Sequence, residues 1–65
     1  MVIFGSRVRD RRIELKMTQG DLAAACELDR TYIGGIERAE RNPSLKNIAK
    51  IANALNTTIS ELTLE

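Results

Sequence analysis

Sixty-five residues with ten basic side chains, nine acidic ones and no histidine carry a net charge of +1 at neutral pH. A chain of this length makes one small domain, here residues 1–65, which buries only about 60% of its unfolded surface. A single cysteine excludes a disulfide framework, and without histidine it leaves no ligand set for a metal. Cys26 follows the apolar run Leu22-Ala23-Ala24-Ala25 and reads as a small buried hydrophobe rather than a reactive thiol. No stretch is long enough for a membrane span and the N-terminus has no signal-peptide pattern, so a cytoplasmic location is expected. An enzyme is not expected. There is no histidine, no arrangement that would activate a nucleophile and too short a chain for a roomy pocket, and no cofactor is implied.

The charge is unevenly spread. Residues 1–20 hold Arg7, Arg9, Arg11, Arg12 and Lys16 against Asp10 and Glu14, whereas residues 51–65 hold only Glu61 and Glu65. A nearly neutral chain can therefore still present one positive face.

Five helical segments follow in chain order. The first runs from about Ile3 to Leu15, with Phe4, Val8, Arg12 and Leu15 on one stripe and Ile13 beside it. An arginine in that apolar stripe is anomalous. The second opens at Thr18, an N-cap, with Asp21 three residues on and Leu22, Ala23 and Cys26 facing inward. The third starts after Asp29, another N-cap, and continues through Arg38, with Ile33, Ile36 and Glu37 on one side. Arg41-Asn42-Pro43-Ser44 is a loop whose serine caps a fourth helix with the stripe Leu45, Ile48, Ile51, Ala52 and Leu55. Thr58 and Glu61 fit a capping box that opens a short fifth helix carrying Leu62 and Leu64. The β-branched residues fall at helical spacings or caps, so the fold class is all-α, a five-helix bundle.

Residues 18–38 combine two short helices with the turn Glu27-Leu28-Asp29. Ala23 permits a close crossing, and Leu28, Ile33 and Ile36 fill the angle between the helices. This is the specification of a helix-turn-helix, whose second helix lies in the major groove.

The stretch RRIELKMTQGDLA, followed by LDRTYIGGIERAERNPSL, resembles the phage-repressor and Cro-type (XRE-like) helix-turn-helix family. Its second part is most similar to the controller proteins of restriction–modification systems. The resemblance implies a lambda-repressor-like domain that binds duplex DNA as a homodimer on a near-palindromic operator and regulates transcription. It also implies an ion pair between Arg12 and Glu37, against the plainer alternative of two solvated charges. In this family a glycine often stands where this chain has Glu27, because that residue tends to be left-handed, so the glutamate should cost stability.

The DNA contacts expected on this basis are Gln19, Arg30, Thr31, Tyr32, Gly35, Arg38, Arg41, Asn42, Ser44 and Lys46. Gln19 opens the second helix, where backbone N–H groups and a side-chain amide suit a phosphate. Arg30 and Thr31 lie in the first turn of the reading helix, where a guanidinium grips guanine and a threonine methyl meets thymine. Tyr32 has two available roles, core packing beside Ile36 or DNA contact. Arg38 and Arg41 flank the helix end, with Asn42 in the loop, and Ser44 and Lys46 suit phosphate. Arg7, Arg9 and Arg11 read as a solvated face. Gly34 and Gly35 leave bare backbone on the outward stripe, either to let the helix sit deeper in the groove or to avoid clashes between helices. Leu55, Ile59, Leu62 and Leu64 are surplus to one thin core and are assigned to a dimer seam, with closure of the monomer core as the alternative. A second functional reading is an antitoxin-type module that binds a protein partner and its operator only secondarily.

Overall fold

The computed structural model describes residues 2–63. Five helices follow one another: α1 Val2–Glu14, α2 Gln19–Cys26, α3 Arg30–Glu37, α4 Leu45–Ala54 and α5 Ile59–Thr63. There is no strand among the described residues. α3 packs on both α1 and α2, while α4 and α5 close the opposite side against α2 and α1.

The starts of these helices follow from side-chain caps. Thr18 and Asp21 form a reciprocal capping box, with Asp21 N–H donating to Thr18 Oγ1 at 3.0 Å and Thr18 N–H to Asp21 Oδ2 at 2.9 Å. Asp29 Oδ1 accepts from Thr31 N–H at 3.3 Å. Ser44 Oγ accepts from Asn47 N–H at 3.2 Å and Thr58 Oγ1 from Glu61 N–H at 3.1 Å. Each cap satisfies a donor that the first helical turn leaves unpaired.

The ends follow a second rule. Lys16, Glu27, Ala39 and Asn56 all have φ between 53° and 60°, and each lies within two residues of the end of a helix. At each, two backbone N–H groups fold back onto the helix, as Glu27 N–H does onto Ala24 O (3.2 Å) and Leu28 N–H onto Ala23 O (2.9 Å). The left-handed conformation expected at Glu27 is therefore present, at φ 58° and ψ 40°. Glycine is the ordinary occupant of such positions, yet no glycine here has positive φ. This chain keeps its glycines inside helices.

The core comprises Phe4 and Val8 of α1, Leu22, Ala23 and Cys26 of α2, Ile33 and Ile36 of α3, Ile51 and Ala52 of α4, Leu55 at its end, and Leu62 of α5. Burying a large aliphatic side chain contributes about 1.5–3 kcal/mol, so these residues carry the fold. The stripes need trimming at their margins. Leu45 is 74% exposed and Ile13 50%, so neither belongs to the core.

Two assignments to the dimer seam are corrected. Leu55 is fully buried and Leu62 nearly so, and both close the monomer core. A thin core draws on large residues from each of its last two helices. Ile59 keeps exposed surface, and Leu64 lies outside the described residues. Arg11 also departs from the expected solvated face. Its Nε donates to Leu55 O at 3.0 Å and its Nη2 to Asn56 O at 3.3 Å, satisfying carbonyls at the end of α4. No helix among the described residues is long and apolar enough to cross a membrane.

Candidate nucleic-acid interface

The geometry of α3 is set from its rear. Gly5, on the inner face of α1 with Phe4 and Val8, lies against the last turn of α3. A methyl group there would run into the carbonyl oxygen of Ile36 and stand 3.0 Å from that of Glu37. Only a residue without a side chain permits this crossing. The Gly5, Val8, Arg12 spacing on one helical face carries the signal, which the sequence reading passed over.

That crossing brings Arg12 to Glu37. The guanidinium donates from Nε to Oε2 at 2.8 Å and from Nη2 to Oε1 at 3.0 Å, a two-pronged pair. Arg12 Nη1 also donates to Met17 O at 2.8 Å, tying the α1–α2 loop to the same group. The Glu37 side chain is 2% exposed and that of Arg12 12%, so the reading of two solvated charges is excluded. The hydrogen bonds to Glu37 push the Arg12 guanidinium above its ordinary value, against the opposing effect of burial. Because desolvation offsets much of the attraction, the pair orients α3 more than it stabilises the fold.

Gln19 extends the cluster. Its Nε2 donates to Glu37 Oε1 at 3.2 Å, joining the start of α2 to the end of α3. The side-chain amide expected at a phosphate is thus already engaged inside the protein, with its oxygen turned toward Gly34.

The front of α3 is open. Arg30 and Thr31 are exposed in its first turn, behind the Asp29 cap. With Gln19, Gly34 and Arg38 they line a concavity of about 230 Å³ between the α2 start and the α3 face. Arg38 is exposed and pairs with Glu40 at 3.0 Å, which is worth little in stability because both groups are solvated. Arg41, Asn42, Ser44 and Lys46 are exposed beyond the helix. Ser44 Oγ is occupied as an acceptor by its capping bond.

Tyr32 packs against the core, and its hydroxyl accepts from Asn47 Nδ2 at 3.1 Å. It bridges α3 to α4, so the packing role is present in the structure, with the half-buried ring beside the exposed Thr31. The two glycines are also corrected. Gly34 and Gly35 are buried, not bare to the outside. Gly34 lies under the ends of Arg38 and Gln19, and Gly35 under the stem of Arg41. Residues 38 and 41 fold back over them, and Gly35 offers no open surface of its own.

Cys26 is buried, and burial raises its thiol above the ordinary range; its Sγ lies 3.8 Å from Lys50 O. It behaves as the small hydrophobe that the sequence implies.

Two short capped helices, a three-residue turn with a left-handed residue, and a second helix locked at its rear and open at its front define a helix-turn-helix domain. A helix-turn-helix family model matches residues 8–62, and the chain belongs to this XRE-type family of DNA-binding transcriptional regulators. Among its relatives, control protein C.BamHI of Bacillus amyloliquefaciens is 47% identical over 62 residues, covering 94% of this chain and 76% of that protein. The crystal structure of the restriction–modification controller protein C.AhdI from Aeromonas hydrophila is similar with a TM-score of 0.91 and 48% identity, covering 94% and 92% of the two chains. The P22 c2 repressor, solved in complex with a synthetic operator, is similar with a TM-score of 0.88 at 29% identity, covering 95% and 94%.

Proposed function

We propose that this chain binds a near-palindromic duplex operator as a homodimer and regulates transcription, acting as an autoregulatory controller of restriction–modification genes. The observation that carries the reading is the open front of α3. Arg30 and Thr31 project from its first turn, and Arg38 shares their concavity. Arg30 and Arg41 are the readers of guanine, Thr31 meets a thymine methyl, and Asn42, Ser44 and Lys46 contact the backbone. Gln19 serves through its backbone N–H at the start of α2, since its side-chain nitrogen is held by Glu37.

The likeness to control protein C.BamHI and to C.AhdI supports the controller role. Homodimer formation follows from the small footprint of one reading helix, which spans too few base pairs for useful specificity. Of the apolar residues assigned to the seam, Ile59 is the described one that retains exposed surface.

Selection of bound duplexes from a randomised pool at near-physiological salt tests the proposal. A two-fold-symmetric site with half-sites about one helical turn apart, roughly 34–36 Å, is expected. A single asymmetric site overturns the homodimer. Weak binding without a consensus, falling steeply with salt, overturns operator recognition.

A further inference from the structure

The four glycines of this chain do different work, and Gly35 is the informative one. It lies in the last turn of α3, buried, with its carbonyl accepting two N–H groups from beyond the helix end: Glu40 at 2.8 Å and Arg41 at 3.2 Å. Ala39, left-handed at φ 60°, turns the chain back toward the helix. The Arg41 side chain then runs across Gly35. A methyl group at Gly35 would stand 2.6 Å from Arg41 Cγ, 3.5 Å from its Cβ and 3.8 Å from its Cδ. These three nearest atoms all belong to the stem of one arginine, and none belongs to α2. The missing side chain at Gly35 therefore makes room for Arg41, not for a helix crossing.

Gly34 provides the contrast. There the nearest atoms are Arg38 Nη1 at 3.0 Å and Gln19 Oε1 at 3.4 Å, the far ends of flexible side chains that swing aside easily. Cγ of Arg41, one bond from Cβ and near its backbone anchor at Gly35 O, has no such freedom.

We infer that Gly35 is the positioning residue for Arg41: its bare Cα seats the arginine stem and fixes the direction in which the guanidinium leaves the reading helix, making Arg41 a specificity determinant. A seated stem has fewer rotamers to lose on binding, and a guanidinium held in one direction can grip guanine in two-pronged fashion. The specificity role rests on the reading of Arg41 as a DNA contact. The seat itself does not.

Two measurements separate these layers. Thermal melting of the parent, G35A, R41A and G35A/R41A tests the seat without DNA. With Arg41 truncated, alanine at this helical position should raise Tm by about 4–8 °C through helix propensity. In the parent that gain should vanish or reverse. Equal gains in both backgrounds overturn the seat. Binding to the selected operator then tests the role. G35A and R41A should each lose about tenfold or more at the same base position. The double variant should lose no more than R41A, and G34A should bind within about twofold of the parent, since the side-chain ends over Gly34 yield. Additive losses overturn the positioning role, whereas R41A binding like the parent overturns the reading of Arg41 as a DNA contact and the specificity claim with it.

Discussion

The two ends of α3 are held in opposite ways. Its last turn is pressed onto α1 through Gly5, pinned by the two-pronged Arg12–Glu37 pair and joined to the start of α2 by Gln19. Its first turn is capped by Asp29, which accepts from Thr31 N–H at 3.3 Å, and turns Arg30 and Thr31 outward while Tyr32 and Ile33 pack inward. A helix that must offer its front to a ligand cannot be packed there, so its orientation has to come from the rear. The polar cluster around Glu37 suits this task because its two-pronged geometry fixes an angle, which apolar packing fixes less sharply.

Breaking the rear should have the largest effects. Gly5→Val drives a branched side chain into the backbone of Ile36 and Glu37, where nothing flexible can yield. Its cost should exceed the ~3 kcal/mol upper end of ordinary overpacking. That is most of the stability of a domain this small. Circular dichroism melting should show a lost or much lowered transition, and a near-parental Tm would mean that α1 does not set the position of α3. Glu37→Gln comes next. It preserves shape but leaves the Arg12 charge facing a neutral amide, and should cost about 3 kcal/mol in a denaturant titration. A cost below about 1 kcal/mol would place the pair among ordinary surface bridges and remove the asymmetry between the two ends.

Legibility followed the range of the interactions involved. Caps are local, so Thr18, Asp29, Ser44 and Thr58 could be read from their own neighbourhoods, and with them the five helices. The Arg12–Glu37 pair spans 25 residues. It was visible only because an arginine in an apolar stripe is anomalous and a family resemblance supplied its partner. Arg11 reaches a helix end 44 residues away, and no local pattern announces that bond. The glycines were misread for a related reason. Sequence shows that a side chain is missing but not which distant group fills the space, whether the Ile36 carbonyl at Gly5 or the Arg41 stem at Gly35. Leu55 and Leu62 went to a dimer seam because a count of apolar residues does not reveal how many a thin core consumes.

The front of α3 should respond by less, and in the opposite sense. Glu27 holds the turn in a left-handed conformation that costs a side-chain-bearing residue about 1–2 kcal/mol. Glu27→Gly relieves that strain, partly offset by the greater freedom of glycine in the unfolded chain, for a net gain of about 1 kcal/mol. A stabilised variant with unchanged operator affinity would show that the turn tolerates relaxation because the rear fixes the helix angle. A loss of affinity would show that the strained turn itself aims Arg30 and Thr31.

The smallest effect concerns pH and lies just ahead of α3, at the start of α2. The Asp21 carboxyl is held below its ordinary value of 3.8, first by the Thr18 backbone N–H and then by the Thr18 hydroxyl. A lowered folded-state pKa means that the folded chain binds fewer protons than the unfolded one around this pH. The cap's contribution is therefore fully present above the unfolded value, and is lost as pH falls from there through the lower folded value. Asp21→Asn keeps a side-chain acceptor for Thr18 N–H but does not titrate. Its stability relative to the parent should thus be flat above about pH 5 and improve steadily toward pH 3. Because Asp21 is exposed, salt should shrink the difference further. A parallel acid profile for both proteins would instead locate the pH dependence outside this cap, leaving the start of α2 to be held by the Gln19–Glu37 bond from the rear.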